Sequence, residues 1–285
     1  MNKNILTSVL LTGTLLLTAC NAAEQNTDTA DKKQTDTKKT VDLSKETEAY
    51  KAFTVEQIDL FVKDTEKFVN AFKAGKIEEA KKIYPKARMY FERSEPVAES
   101  FGDLDPRIDA RLADMKAEGK ESEWSGYHKL EKALWVENKT KGYEDVADQL
   151  LKDAKELRAK VDTAEVTPKL MLQGSIDLLN EVSTSKITGE EEIFSHTDLY
   201  DFKANIEGAE KIFSLFEEKI TAKDKALAEN IQSKFDAVNT LLEKHETGNG
   251  NYVSYEELTK EDTKKLSTAV DQLGEPLSQM AIILE

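Results

Sequence analysis

Apolar side chains recur every three or four residues along most of the chain, starting near residue 50. Phe53, Ile58 and Phe61 begin the first apolar face, which continues to about Gly75. This spacing places the apolar side chains on one side of an α-helix. The same pattern predicts further helices over 76–91, 105–119, 122–136, 143–164, 167–185, 197–216, 222–246 and 259–284.

Helices of this number and length predict an all-α fold of two antiparallel bundles, packed end to end or side by side. Only five prolines and twelve glycines are present, which suits helices joined by short loops. Pro85 predicts a kink in the second helix, and Gly274-Glu275-Pro276 predicts an interruption of the last one. No strand-like alternation is long enough to predict a sheet. We expect one helical domain over 48–285, with the boundary between the bundles near residue 165.

The first twenty residues have the features of an export signal. Lys3 precedes an apolar run over 5–17, which is too short to span a bilayer permanently. Leu17-Thr18-Ala19-Cys20 matches the lipobox, where a signal peptidase cuts before a cysteine. Because Cys20 is the only cysteine and cannot form an internal disulfide, we predict a signal peptide over 1–19 and a lipid anchor on Cys20. The alternative is an ordinary secretory signal cut elsewhere, with Cys20 incidental.

The segment 20–47, which begins at Cys20, is predicted to be a flexible tether. It is rich in Thr, Asp, Lys, Gln and Asn and nearly lacks large apolar residues. Such a composition cannot bury enough surface to order itself. The protein is therefore expected on the extracytoplasmic face of the cell membrane, with the folded part standing clear of the lipid.

The charge of the chain limits its partners. The formal net charge is −15, and an acidic surface repels nucleic acid and anionic lipid headgroups while it attracts cations. We therefore expect no nucleic-acid partner. Acidity is also common among exported proteins, so it permits a cation-binding function without establishing one.

Candidate metal ligands lie in two neighbouring stretches of the sequence. His128 and Glu131 are three residues apart, so both side chains leave the same face of a helix. Glu92 and Glu95 form a second pair with this spacing, and Asp109 falls one turn into the next predicted helix. Carboxylates from facing helices commonly complete metal sites in helical bundles. The alternatives are a surface hydrogen bond between His128 and Glu131 and, for the acidic residues, simple solvation.

The other two histidines have weaker signals. His196 could form a second metal position with Glu190 or Glu192, or it could be a loop histidine before a helix start. His245 lies at a predicted helix end, where a cation is favourable against the helix dipole. We interpret His245 as structural.

Four runs of residues resemble the imelysin-like lipoproteins, specifically the EfeO/EfeM group of iron-uptake proteins. The resemblance extends from about Tyr50 to the C-terminus. The runs are YFERSEPVAESFGDLDPRIDAR (90–111), WSGYHKLEKALW (124–135), ITGEEEIFSHTDLYDFKANIEGA (187–209) and LGEPLSQMA (273–281).

The resemblance implies a fold of two four-helix bundles with a metal site in the cleft between them. The H-x-x-E pair of that site would be His128 and Glu131, with Glu92, Glu95 and Asp109 as carboxylate partners. The metal would be iron, ferric or ferrous, with other divalent metals as further candidates. Some EfeO proteins carry a cupredoxin domain before the helices; this chain has a tether there, so copper-assisted oxidation is not expected.

The resemblance also implies a non-enzymatic role in an EfeUOB-type iron-uptake system. The partners would be an iron permease and a haem-dependent peroxidase, and we expect the protein to be a monomer. Two other hypotheses stay open. One is a metallopeptidase, because imelysin-like proteins have been classed with peptidases, although the H-E-x-x-H motif of zinc peptidases is absent. The other is a surface module that binds a polymer or a partner through an acidic cleft.

Overall fold

Residues 41–284 are the part of the chain that the computed structural model describes. The predicted signal peptide, Cys20 and most of the predicted tether lie outside the described residues. The elements in chain order are α1 (Ser44–Lys73), α2 (Ile77–Ala98), α3 (Leu104–Asp109), α4 (Leu112–Ala117), α5 (Gly126–Trp135), α6 (Glu144–Val161), α7 (Pro168–Thr184), α8 (Asp198–Lys223), α9 (Lys225–Glu243), β1 (Glu246–Gly248), β2 (Asn251–Tyr252) and α10 (Lys260–Leu284). Within 41–284, no helix is both long enough and apolar enough to cross a bilayer.

The helix starts follow from local sequence. The Thr167 side chain accepts a hydrogen bond from the backbone N–H of Leu170, which caps α7. Asp224 caps α9 in the same way through the N–H of Leu227. At the other end of the described residues, α1 begins at Ser44, so 44–47, predicted as the end of the tether, are helical.

Two apolar cores hold these helices together. The first lies among α1, α2, α3, α5 and α6 and includes Phe61, Phe91 and Leu134. The second lies mainly among α7, α8, α9 and α10 and includes Phe202 and Phe213. The long helices α2 and α8 pack against each other between the two cores. The predicted all-α class is therefore confirmed, and the long helices divide into two groups of four.

The predicted kink at Pro85 is not a helix break, because α2 continues through both Pro85 and Pro96. A proline lacks an N–H, which leaves the carbonyl four residues earlier without its helical partner. For Pro96 that carbonyl belongs to Glu92, and it accepts a hydrogen bond from Asn205 Nδ2 on α8 at 3.1 Å. A neighbouring helix therefore replaces the lost hydrogen bond, which sequence periodicity cannot reveal.

The predicted interruption near Gly274-Glu275-Pro276 is wrong, since α10 is continuous over these residues. Leu273 and Leu277 on either side of this step are fully buried, and their packing favours an uninterrupted helix. The loop before α10 contains a hairpin in which β1 and β2 pair antiparallel. Both strands are too short to show an alternating pattern in the sequence.

Candidate metal centre

The start of α5 lies against the end of α3, and a glycine makes this contact possible. Gly126 has a φ of 81°, in the left-handed region that favours glycine. A Cβ atom at this position would lie 2.2 Å from the backbone carbonyl oxygen of Ile108. Only a residue without a side chain lets the two helix ends approach so closely. The first turn of α5, which carries His128, is thereby held beside Asp109.

His128 is the centre of a buried group of carboxylates. Its side chain is 2% exposed, and Nε2 lies 3.7 Å from Asp109 Oδ1 and 3.8 Å from Glu191 Oε1. Nδ1 lies 3.2 Å from Glu131 Oε2. Because an ionised carboxylate can only accept, this hydrogen bond places a proton on Nδ1, and in the neutral form of the imidazole the lone pair is then on Nε2. Nε2 has no hydrogen-bond partner among the described residues.

Both carboxylate oxygens of Glu131 already accept hydrogen bonds. Oε2 accepts from His128, and Oε1 accepts from the backbone N–H groups of Phe194 and Ser195 at 3.0 and 2.7 Å. Burial raises the pKa of Glu131, but the hydrogen bonds outweigh burial and hold this pKa below its usual value. Glu131 therefore stays ionised, orients the imidazole and ties α5 to the 190–197 segment that precedes α8.

The 190–197 segment supplies two carboxylates to the centre, Glu191 and Glu192. Glu192 is fully buried, with Oε1 3.9 Å from His128 Nδ1 and 3.1 Å from the hydroxyl of Tyr84. Burial, with Glu131 nearby, raises the pKa of Glu192 well above its usual range. Sequence reasoning does not pair either residue with His128, because a run of three glutamates is typical of a solvated loop.

The imidazole of His196 is not part of this centre. Within 4.0 Å, its only carboxylate neighbour among the described residues is Glu256, at 3.7 Å from Nε2. Glu256 is 70% exposed. His196 also belongs to no group of three ligand-type side chains in 41–284. The structure therefore favours the interpretation as a loop histidine over a second metal position.

A guanidinium group lies among the carboxylates of the centre. Arg88 is 1% exposed and donates to Asp109, and its Nε lies 2.6 Å from Glu192 Oε1. It also donates to Glu92 at 2.7 Å and to Asp201 at 3.3 Å. Burial lowers the pKa of Arg88, but the surrounding carboxylates outweigh burial and raise it well above the usual value. Arg88 is a permanent positive charge that the sequence analysis did not single out.

Glu92 and Glu95 lie in a second cluster beside the first. Lys186 is fully buried, and its Nζ lies 2.8 Å from Glu92 Oε2 and 2.9 Å from Glu181 Oε2. Its distance to Glu95 is 3.9 Å. Asn205 Nδ2 donates to Glu92 and Glu95, both at 3.1 Å. These contacts occupy oxygens that a metal ion would otherwise use.

The five predicted ligands thus fall into two clusters. Asp109 and Glu131 lie on opposite sides of the His128 ring, whereas Glu92 and Glu95 contact Lys186. Their assignment as ligands stays a prediction. Asp109, His128 and Glu191 offer three ligand atoms within 4.8 Å of one another, which is a spacing that one metal ion can bridge.

An open cleft of about 830 Å³ borders this centre, and Asp109 and Glu191 form part of its wall. Eight further carboxylates line the cleft: Glu95, Glu99, Asp103, Asp105, Asp114, Glu118, Glu123 and Glu181. Its basic residues are Arg107, Arg111 and Lys120, and each already pairs with a carboxylate. A concave surface with this charge raises the local concentration of cations.

Comparisons with known proteins cover nearly the whole chain. The family described as imelysin, with the label peptidase M75, matches residues 46–280. A Staphylococcus haemolyticus protein named Efem/EfeO family lipoprotein is 59% identical over 285 residues, which covers 98% of this chain and 99% of that protein. A Staphylococcus aureus (strain NCTC 8325) protein of the same name is 62% identical over 248 residues, covering 86% of each chain.

A solved structure has a similar fold. The crystal structure of a protein described as an iron-regulated protein A precursor, from Parabacteroides distasonis, superposes with a TM-score of 0.69. The superposition covers 87% of this chain and 97% of that one, at 14% sequence identity. Similarity at this level of identity demonstrates a shared fold and nothing about the site.

Proposed function

Because the chain belongs to the imelysin family, in its EfeM/EfeO lipoprotein group, we propose that it is an extracytoplasmic iron-binding protein. It captures iron in a histidine–carboxylate centre and passes it to a membrane permease of an EfeUOB-type uptake system. A haem-dependent peroxidase is the further partner of such a system. The relatives are named lipoproteins, which supports a lipid anchor on Cys20 and a place at the cell surface.

The observation that carries this proposal is the state of His128 Nε2. The atom is buried without a hydrogen-bond partner among the described residues, and leaving a buried polar atom unpaired costs free energy. A cation bound to Nε2, Asp109 and Glu191 removes that cost. Glu131 then acts as the carboxylate that fixes the histidine tautomer, an arrangement common at metal-binding histidines.

The ligand types favour iron. Imidazole nitrogen and carboxylate oxygen bind iron in both common oxidation states, and several carboxylates around one histidine favour the harder ferric ion. The described residues contain no cysteine, so no thiolate is available there to be oxidised. Glu92 accepts hydrogen bonds from Arg88, Lys186 and Asn205, and Glu95 accepts one from Asn205. Both are therefore weaker candidates for direct ligands.

Calorimetric titration of the full chain with ferrous, ferric, zinc and copper ions tests the proposal. Loss of an orienting partner typically weakens metal binding about 10–100-fold, so we expect that range for Glu131→Gln and a larger loss for His128→Gln. His245→Gln is the matched control, since this histidine lies at a helix end away from the centre. Iron binding by His128→Gln that equals the wild type would contradict the proposal.

A cellular experiment and a digest extend the test. Growth on low iron should fail with His128→Gln and persist with His245→Gln, provided that both variants show wild-type helical content and abundance.

The peptidase label of the family suggests a second function, hydrolysis by a metal-activated water. Incubation with casein, with and without a chelator, decides it: chelator-sensitive cleavage that His128→Gln abolishes would establish a peptidase.

A further inference from the structure

A second groove includes Ser195, His196 and Thr197 in its wall. It has a volume of about 500 Å³, and the rest of its wall is formed by α2, by Tyr200 of α8 and by residues 251–254 at β2. Its wall shares Ser195 with the surroundings of the metal centre, because the backbone N–H of Ser195 donates to Glu131. The proposed iron ligands Asp109, His128 and Glu191 do not line the groove, so a ligand bound there does not depend on the proposed iron function.

The charge of this groove is opposite to that of the chain. Three lysines on α2 line it, Lys81, Lys82 and Lys86, and none of its twelve wall residues is acidic. The chain as a whole has 55 acidic residues and a net charge of −15. A patch of this sign on such a chain attracts anions against the overall field.

The lysines are also poorly neutralised. Only Lys81 has a carboxylate of 41–284 within 4.0 Å, and that carboxylate, on Glu78, lies 3.7 Å away and is 79% exposed. Lys86 donates to the backbone carbonyl of Asn249 at 3.4 Å, which satisfies one donor and leaves its charge. Lys82 is exposed and forms no ion pair with any described residue. The ammonium groups are therefore available to a ligand.

Hydroxyl groups stand on the wall that faces the lysines. Ser195 Oγ donates to Glu192 Oε2 at 2.8 Å, so Thr197 Oγ1 is the donor in the 2.8 Å hydrogen bond between Thr197 and Ser195. Ser254 Oγ accepts from the backbone N–H of Glu256, and its hydroxyl proton is the one available to a ligand. His196 between them has a φ of 58°. Its backbone N–H donates to the backbone carbonyl of Glu192 at 2.7 Å, and its own carbonyl accepts from the backbone N–H of Tyr255 at 2.9 Å. These bonds fix the hydroxyls in place, so the groove is a formed surface.

We propose that this groove binds a phosphate group, either as free phosphate or as a phosphate ester. A tetrahedral anion with several acceptor oxygens can accept from ammonium and hydroxyl groups at the same time. Planar carboxylates are recognised best by the fork of an arginine, and no arginine lines this groove. The donor set therefore favours phosphate over a carboxylate ligand.

The test compares the full chain with two double variants of equal charge. Lys82→Gln with Lys86→Gln removes two ammonium groups from the groove. The matched control, Lys45→Gln with Lys152→Gln, removes two exposed lysines of α1 and α6 that form no ion pair with residues 41–284. Inorganic phosphate, glycerol phosphate and succinate are each titrated and followed by calorimetry. Phosphatidylglycerol and phosphatidylcholine vesicles are tested by sedimentation.

We expect saturable phosphate binding that the groove variant weakens at least about tenfold, because each charged contact is strong. The control should stay within about twofold of the wild type. Binding of phosphatidylglycerol vesicles that the groove variant abolishes would identify a lipid headgroup as the source, and binding of the soluble phosphates alone would identify a free ligand. Absence of phosphate and vesicle binding, equal losses in both variants, or equal affinity for succinate would each overturn the proposal.

Discussion

Replacing Arg88 by glutamine should destabilise the metal-free protein and strengthen cation binding at the same time. The guanidinium contacts Glu92, Asp109, Glu192 and Asp201 while fully buried. Removing one partner of a buried ion network typically costs about 3–5 kcal/mol. In a domain of this size each kcal/mol lowers the melting temperature by about 2–4 °C. The metal-free variant should therefore melt roughly 6–20 °C below the wild type.

The gain in affinity for a cation is expected because the cation and the Arg88 guanidinium would bind the same Asp109 carboxylate. A cation held by His128 and Asp109 would lie roughly 5 Å from the guanidinium that binds the same carboxylate, and two unit charges at that distance repel by about 3 kcal/mol at an effective dielectric of 20. Solvent in the neighbouring cleft reduces this repulsion. We expect at least about 1.4 kcal/mol for a divalent ion, which is tenfold in affinity.

The assay is thermal unfolding of the full chain with and without a saturating metal ion, together with calorimetric titration. Arg88→Gln should show a lower melting temperature without metal and a larger metal-induced rise than the wild type. Arg158→Gln is the control, because it removes the same charge from a partly exposed pair with Asp59 and should cost less than about 1 kcal/mol. An unchanged metal-free stability, or a smaller rise with metal, would refute the reasoning about an internal competing cation.

Two further predictions follow from the same contacts. Gly126→Ala should lower the free energy of unfolding by on the order of 3 kcal/mol, because the methyl group meets the Ile108 carbonyl and φ is positive. The control is Gly119→Ala, where φ is 71° and the surrounding space is open. In urea unfolding this control should lose only about 1–2 kcal/mol. Burial with nearby acidic groups raises the pKa of Glu99 and of Asp105 to about 7. These carboxyls take up protons more readily in the folded chain, so they stabilise it below about pH 4 and lose that contribution as pH rises through about 7. Melting temperatures of the metal-free protein should therefore fall between about pH 4 and pH 7 and level off above that range. The double variant Glu99→Gln with Asp105→Asn should flatten the profile, and a slope that this variant keeps would contradict the assignment.

The sequence predicts the helices well because each one buries a continuous apolar stripe. Periodicity at 3.6 residues locates α6, α7 and α9 to within three residues, whereas α1 begins earlier and α8 ends later than predicted. The family resemblance read from four motifs is confirmed by the comparisons. The interruption expected near Pro276 is wrong, and neither Pro85 nor Pro96 ends α2. Whether a proline ends a helix depends on what satisfies the freed carbonyl, and in α2 a partner for one such carbonyl comes from α8.

The sequence predicts only some of the residues of the candidate site. The spacing of His128 and Glu131 places them on one helix face, and the structure shows that face buried. Glu191 and Arg88 have no such signal, because an acidic run and an Arg88–Glu92 pair four residues apart both look like solvated surface. Their inward orientation is decided by tertiary contacts, such as the hydrogen bonds from the 190–197 segment to Glu131. Gly126, two residues before His128, is the one local sequence signal of the close approach between α3 and α5.

The interior of this protein holds more negative than positive charge, and that imbalance has a consequence for the proposed cargo. Arg88 and Lys186 are the fully buried cations of the described residues, whereas the buried acidic side chains include Glu92, Glu131 and Glu192. Protons make up part of the difference, since burial raises the pKa of Glu192 well above its usual range. Burial also raises the pKa of the proposed ligand Asp109. Under the proposed function an arriving iron ion must displace the proton of Asp109, because ligands bind metal only when deprotonated. Iron capture should therefore release protons and weaken as the medium becomes acidic, which gives the protein a physical means to let its cargo go.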